Sequence, residues 1–384
     1  MPSDTTKKRP MGLKARAASS KKARGQEELT EAGAQVVNDF EEEDTATVML
    51  KNDNDEDANE MDELESIFQS ALELELTSPE RAFALLRGTI HESDRMLRVH
   101  DQGEEAEELE ARFYYIYGSA LFSITKIAAD ELESQQREYL ELAQLRLEQA
   151  KAAMAGSEPF AWRVHAGLGK IALELLAEND DEEENDALAA NGGALSSLDR
   201  AIDILAKDEE DAAAQTEALT LVDLTLSLAD SRRLTDRISG KLVSWSEAKL
   251  DMLEAGWAKL ADSSDRAEEI KHLRARALWL HASVLLEQQD EETGEVPDKD
   301  EVLRLLNDAN RLLDDAKSGD ALLLRGEIQI NLGNLQEDKR EQEELYKLAV
   351  DTFKLAQANG DLPEHFEQFI DDFENDGSDD ESEE

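Results

Sequence analysis

Residue types that could catalyse a reaction or bind a metal ion are few in this sequence and lack the spacing that such sites need. None of the six histidines stands in a His-Glu-x-x-His or His-x-Asp arrangement, which would bring metal ligands together on one element. The sequence contains no cysteine, which excludes a disulfide, a thiolate zinc site and a cysteine nucleophile. We therefore expect no metal site, no cofactor and no catalytic residue.

One short motif, Gly167-Leu-Gly169-Lys170, resembles half of a phosphate-binding loop. It lacks the upstream glycine and the Ser or Thr that follow the pattern in such loops, and it lies inside a helical pattern. Close packing of one helix on another explains the two glycines better. With 91 acidic residues in the chain, a pair of carboxylates does not by itself indicate acid–base catalysis.

The aromatic run Phe113-Tyr114-Tyr115-Ile116-Tyr117 places rings around much of one predicted helix. A single buried stripe would need fewer rings. Packing of the helix between two neighbours is one explanation. The alternative is that Tyr114 or Tyr117 lines a groove and anchors a partner peptide, as large aromatic side chains do at many interfaces.

The elements that must position these residues are helices. Apolar residues recur at helical spacing between Glu60 and Phe369, while an aromatic content of 5% and only six prolines argue against a strand-rich fold. We predict an all-α, tetratricopeptide-like helical-hairpin superhelix with disordered N- and C-terminal tails. The predicted segments are a basic tail at 1–24, an acidic linker at 25–60, a helical repeat domain at 61–370 and an acidic tail at 371–384.

A spacing of four and then three residues between small or apolar side chains recurs in five predicted second helices. The triplets are Ala143/Leu147/Ala150, Ala194/Leu198/Ala201, Ala248/Met252/Ala255, Val302/Leu306/Ala309 and Ala349/Phe353/Ala356. Steps between their third residues are 51, 54, 54 and 47, longer than the ~34 residues of a regular tetratricopeptide array. The sequence therefore predicts longer helices or loop insertions. A globular helical bundle is the competing architecture.

Charge is distributed very unevenly along the chain. The formal net charge is −50, and residues 1–24 carry eight basic residues against one acid, a local charge of +7. A body so acidic repels nucleic acid, so we expect basic protein surfaces as partners and no direct contact with DNA or RNA. No apolar run approaches eighteen residues, and the N-terminal segment has no hydrophobic core, so we expect neither a membrane span nor a secretory signal.

Both charged ends carry a candidate recognition site. Two basic clusters in the first 24 residues, separated by eleven residues, have the layout of a bipartite nuclear import signal. The residues of this candidate signal are Lys8, Arg9, Lys21, Lys22 and Arg24. A basic tail that is solvated, or paired within the chain, is the alternative. In the acidic tail, Ser378 precedes Asp379-Asp380-Glu381, an acceptor pattern for an acid-directed kinase.

The motif Lys8-Arg9-Pro10-Met11-Gly12-Leu13 resembles the start of the fungal enhancer of translation termination family, although Met11 replaces the usual leucine. The acidic linker and helical body that follow are similar to the layout of that family over the whole chain. The resemblance implies a nuclear, non-enzymatic protein that promotes correct translation termination and takes part in hypoxic gene regulation. It implies a prolyl-hydroxylase-like dioxygenase, dependent on iron and 2-oxoglutarate, as partner, with ribosome-associated proteins as further partners.

The function we expect is that of a nuclear adaptor, whose helical groove binds the dioxygenase and whose basic tail binds an import receptor. The competing class is an acidic chaperone that shields histones or ribosomal proteins, because the net charge fits that role equally well. Dependence on the acidic tail separates the two, since a charge chaperone weakens when the tail is removed and a groove adaptor does not.

Overall fold

The structure is a computed structural model, and all regular secondary structure in its described residues is α-helical, which confirms the predicted fold class. The described residues are 60–102, 109–132, 135–155, 158–177, 193–207, 212–231, 235–257, 264–287, 298–360 and 362–376. The first helices are α1 Glu60–Leu74, α2 Pro79–Gln102, α3 Ala111–Ile127, α4 Ala129–Leu132, α5 Gln136–Ala153, α6 Ala161–Ala177 and α7 Ala194–Leu205. They are followed by α8 Ala212–Asp230, α9 Asp236–Trp257, α10 Ser264–Glu287, α11 Lys299–Leu312, α12 Gly319–Asn334, α13 Lys339–Gln357 and α14 Glu364–Asp376.

Two compact units make up the chain. The first consists of the described residues of Met1–Glu108 together with Ile116–Ala143. In it α1 packs along α2, and the core between them contains Leu64, Phe68, Leu86 and Ile90, which are all at most 2% exposed. The second unit consists of the described residues of Leu109–Tyr115 and Gln144–Glu384.

Successive helices of the second unit pair as hairpins. The pairs are α6 with α7, α8 with α9, α10 with α11 and α12 with α13. Helix α10 also packs against α8 and α12, so the first helices of three consecutive hairpins lie side by side. We call α8, α10 and α12 the first-helix layer. Packing between each hairpin and the next is the arrangement of a tetratricopeptide-like stack.

Several helix ends follow from capping residues in the sequence. Pro79 follows Ser78 and occupies the first position of α2. A backbone N–H at that position would have no partner within the helix, so proline, which has none, is well suited to it. The hydroxyl of Ser318 accepts from the Ala321 N–H at the start of α12, and the Asp338 carboxylate accepts from the Arg340 N–H at the start of α13.

The end of the last helix differs from the predicted domain limits. Helix α14 continues to Asp376, six residues beyond the predicted end of the helical domain at 370. Phe373 explains this extension, since its partly buried ring packs against the last core cluster and favours one more turn.

Four of the five predicted triplets are buried, but the triplet in α9 was placed in the wrong register. Ala248, Met252 and Ala255 are exposed, whereas Ser246, Leu250 and Leu253 occupy the core with the same four-then-three spacing. Alanine is apolar enough to suggest a buried face without requiring one. Serine is polar, and its presence argued against the face that is in fact buried. Hydrophobicity alone therefore favoured the exposed face.

Glycines allow the closest helix contacts, which confirms the packing explanation of Gly167-Leu-Gly169. A Cβ atom at Gly169 in α6 would lie 2.6 Å from Leu198 in α7, and one at Gly326 in α12 would overlap the Phe353 ring in α13. The ring of Phe353 is fully buried and stacks on Phe366 of α14, with centroids 4.4 Å apart. Gly326 thus lets one aromatic ring join three helices.

We predict that Gly326→Ala lowers the free energy of unfolding by about 1–3 kcal/mol, since the added methyl group displaces the Phe353 ring from a filled core. Gly240→Ala in α9 is the matched control. No atom lies within 4 Å of a Cβ atom built there, and an alanine in a helix is favoured by about 0.5–1 kcal/mol. Urea unfolding of both variants checks the opposite signs, and equal effects would contradict the packing role of Gly326.

We predict that Ser246→Ala stabilises the second unit by about 1 kcal/mol. Its hydroxyl is buried without a hydrogen-bond partner in the described structure, and replacing such a group removes a desolvation cost. Ser244→Ala is the control, because that exposed hydroxyl donates to the carbonyl of Gly240, four residues earlier in the same helix. Thermal unfolding should show a higher Tm for Ser246→Ala alone, and a lower Tm would show that the hydroxyl is needed.

Candidate partner-binding surface

The two tyrosines predicted as groove anchors have different environments. Tyr117 is fully buried and its hydroxyl donates to the Asp94 carboxylate within the first unit, so its ring belongs to the core and cannot anchor a partner there. That half of the prediction was wrong, because the interior hydrogen bond satisfies the hydroxyl and lets the ring be buried. Tyr114 is partly exposed and pairs edge-to-face with Phe113, with centroids 5.2 Å apart. Its role as an anchor stays a prediction.

Arg276 is the central charged residue of the first-helix layer. From α10 its guanidinium reaches three side chains of α8: the carboxylate of Asp223 at 2.8 Å, the hydroxyl of Ser227 at 3.1 Å and the carboxylate of Asp230 at 3.3 Å. The Arg276 side chain is 21% exposed and the two carboxylates are 50% and 40% exposed. The bonds therefore join α8 to α10 at the surface of the layer, where they are partly screened by water.

Glu327 of α12 faces the same group. Burial, with the nearby Asp230 carboxylate, raises the pKa of Glu327 to about 7, and Arg276 only partly opposes this rise. Two carboxylates thus bind the Arg276 guanidinium and a third lies near it, which leaves the surroundings of this cation acidic. Such a surface favours an incoming cationic group.

A second arginine on α10 joins that helix to α9, which forms a hairpin with α8. Arg274 binds Asp251 and Glu254 of α9, each at 2.7 Å. Residues two apart on a helix point in different directions, so Arg274 and Arg276 hold α9 and α8 respectively. Sequence reasoning missed this pair, although two arginines spaced by one residue between acidic neighbouring helices were a usable signal.

The geometry of the layer does not assemble a recognisable catalytic group. Burial and the adjacent Arg276 lower the pKa of His272, which disfavours a charged imidazole. A carboxylate with a pKa near 7 can act as a general base, but Glu327 is surrounded by structural charges rather than by a nucleophile.

Within the described residues, no group of three or more His, Asp or Glu residues is placed to hold a metal ion. Among the same residues, no helix is long and apolar enough to cross a membrane.

Two predicted sites fall outside the described residues. They are the import signal formed by Lys8, Arg9, Lys21, Lys22 and Arg24, and the phosphorylation site at Ser378. Both stay predictions from the sequence.

Comparison with known protein families matches residues 6–230 to the family described as nuclear pore complex subunit Nro1, which covers more than half of the 384 residues. The chain belongs to the Nro1 family. A curated relative from Schizosaccharomyces pombe, named negative regulator of ofd1, is 25% identical over 412 aligned positions that cover 94% of this chain and 98% of the relative.

Solved structures of Nro1 have a similar fold. One, described as a nuclear import adaptor and hypoxic regulator of sterol synthesis, is 19% identical, covers 82% of this chain and 93% of its own, and gives a TM-score of 0.50. A second, from S. pombe and also described as a nuclear import adaptor, covers 82% and 98% with a TM-score of 0.47. At this identity the first structure supports the helical fold alone.

Membership of a family described as a nuclear pore complex subunit confirms the predicted nuclear localisation. The relatives are named as regulators and adaptors rather than as enzymes. The name enhancer of translation termination is not confirmed by these comparisons, and the roles in termination and in binding ribosome-associated proteins stay predictions.

The raised pKa of Glu327 gives a pH-dependent prediction. Between pH 4.5 and about 7 the folded state binds more protons at Glu327 than the unfolded chain, so the free energy of unfolding falls as pH rises through this window. Glu327→Gln removes that fall. We expect the variant to gain on the order of 2–3 kcal/mol relative to the original chain at pH 8, and little at pH 4.5.

Urea unfolding at both pH values measures this difference. Glu343→Gln on the exposed face of α13 is the matched control and should follow the original chain at each pH. An equal effect of Glu327→Gln at the two pH values would mean that Glu327 ionises normally.

Proposed function

We propose that this chain is a non-enzymatic nuclear adaptor that binds a prolyl-hydroxylase-like dioxygenase dependent on iron and 2-oxoglutarate. In this role it controls the dioxygenase in hypoxic gene expression and is required for correct translation termination. The reaction chemistry belongs to the partner, while this chain contributes binding surfaces and a nuclear import signal.

The observation that carries the proposal is the match to the negative regulator of ofd1, which extends over nearly all of both chains. The match extends over nearly the whole of both chains rather than over one segment, and the relative's name describes control of another protein. The resemblance of the N-terminal motif to the enhancer of translation termination family independently implies a dioxygenase partner.

The surface available for this function is the stack of helical hairpins in the second unit. Stacked hairpins expose long continuous helix faces, and residues from several repeats can contact one extended partner. The first-helix layer is acidic around Arg276, so charge would speed the encounter with a basic partner. The basic residues 1–24 are separate from these faces in sequence, which would let an import receptor and the dioxygenase bind together.

The experiment that tests this function compares four purified forms of the chain. They are the intact chain, a form lacking residues 1–24, a form lacking residues 377–384, and an intact form with Lys21, Lys22 and Arg24 changed to alanine. Each is mixed with the purified prolyl-hydroxylase-like dioxygenase of the same organism, and complex formation is measured by calorimetry at two salt concentrations.

We expect all four forms to bind the dioxygenase with similar affinity, because the proposed binding surfaces belong to the helices that all four forms retain. Nuclear accumulation of the tagged protein and its partner should fall only in the two forms with altered basic residues. Lys7→Ala with Lys14→Ala, outside the two clusters, is the matched control for import. The shorter C-terminal deletion is used because residues 371–376 belong to α14.

Absence of dioxygenase binding by the intact chain would overturn the proposed function. Binding of histones or ribosomal proteins that is lost both at higher salt and on removal of residues 377–384 would instead identify an acidic chaperone. Such binding follows screened charge rather than a specific surface.

A further inference from the structure

Helix α13 exposes two leucines that its neighbours do not cover. Among the described residues only five large apolar side chains are exposed, and two of them, Leu348 at 42% and Leu355 at 60%, lie seven residues apart on this helix. Seven residues correspond to two turns, so the two side chains share a face about 10 Å apart. Other faces of α13 are occupied, since Thr352 hydrogen-bonds Gln329 of α12 and Phe353 stacks on Phe366 of α14.

Acidic residues border the two leucines. Glu344 and Asp351 stand at the alternate positions of the same stripe and are exposed. Lys354, next to Leu355, binds Glu374 of α14 at 2.5 Å, which places the acidic side of α14 beside the stripe. Helix α14 contains six acidic residues and no lysine or arginine. We call the surface formed by Glu344, Leu348, Asp351 and Leu355 the α13 stripe.

The acids of the α13 stripe differ from those of the first-helix layer. Asp223 and Asp230 bind Arg276, whereas within the described structure Glu344 and Asp351 form no ion pair, although the charge of Lys354 acts on Asp351 from one turn along the helix. A cationic partner could therefore contact Glu344 and Asp351 without displacing a resident guanidinium. Two exposed leucines that alternate with two exposed acids are complementary to a segment that is both apolar and basic.

We propose that the α13 stripe is the docking site for a basic amphipathic segment of the protein partner, with two apolar side chains about two helical turns apart and lysines or arginines on either side. This inference rests on the proposed function, in which that partner is the dioxygenase. The apolar side chains of the segment cover Leu348 and Leu355, and its cations approach Glu344 and Asp351.

Charge makes this occupant preferable to the C-terminal tail. Residues 377–384 follow directly after α14, but they contain five acids, no lysine or arginine and no large apolar side chain, so they cannot complement the stripe. A second copy of the chain would bring the same acids against Glu344 and Asp351. Two leucines on each side also bury far less than the ~1,200 Å² of a stable interface.

The test uses the full-length chain with two sets of changes. Leu348→Ser combined with Leu355→Ser removes the apolar contacts, and Asp351→Lys reverses a charge at the centre of the stripe. Leu76→Ser, at another exposed leucine, and Glu217→Lys, at an exposed acid of α8, are the matched controls. All of these side chains are exposed, so the variants should fold, and thermal unfolding confirms that each does.

Binding is measured against the purified dioxygenase and against a synthetic 20-residue helical peptide with leucines seven residues apart and flanking lysines. We expect each stripe variant to weaken dioxygenase binding about tenfold or more, as loss of central apolar contacts does at interfaces, and the controls to change it less than about twofold. The peptide should bind the original chain, more weakly as salt rises, and should lose that binding in the stripe variants.

The outcomes separate this inference from the proposed function. If the dioxygenase binds the intact chain and the stripe variants equally, the docking site is wrong while the adaptor function stands. If the dioxygenase does not bind the intact chain, the adaptor function itself fails. If removing residues 1–24 raises peptide affinity for the original chain but not for the stripe variants, the chain's own basic tail occupies the stripe, which also overturns the proposal.

Discussion

Contact between the two helices of each hairpin is the constraint on which the rest of the second unit depends. Gly169 and Gly326 let a first helix approach its partner so closely that a methyl group would collide with Leu198 or Phe353. Such contacts fix the distance between the two helices of a hairpin. Because the interior is closely packed, that distance also constrains the position of the next hairpin. The buried ring of Phe353, placed between α12 and α14, shows how one close approach positions a third helix.

Charge acts on the outside of this packed frame and serves two purposes. Around Arg274 and Arg276, carboxylates of α8 and α9 bind cations of α10 and reinforce the order of the hairpins. Elsewhere acids lie without a partner in the described structure, as at Glu344, and the large negative charge of the chain becomes a property that other molecules encounter. Acidic residues therefore stabilise contacts between helices where they pair with arginines, and they are available to attract a partner where they do not.

Helix positions could be predicted from the sequence because apolar spacing and caps act locally. The start of α2 at Pro79 and the triplet Val302/Leu306/Ala309 are examples, since each depends on residues within a few turns. The face of α9 could not be predicted, because Ala248 and Ser246 differ little in size and the neighbouring helices decide which is buried. Tyr117 illustrates the same limit for the candidate site, since a hydrogen bond to Asp94, 23 residues away in sequence, made burial of a polar ring possible.

Helix α14 determines where the stack ends. Phe366 and Ile370 close the apolar face that the last hairpin would otherwise present, and the opposite side of the helix is strongly acidic. A stack of similar units with an open apolar end can add further copies head to tail and grow into a filament. The apolar side of α14 is packed against the last hairpin, and its acidic side repels a second copy of the chain. This one helix therefore opposes head-to-tail growth of the stack, even at high protein concentration.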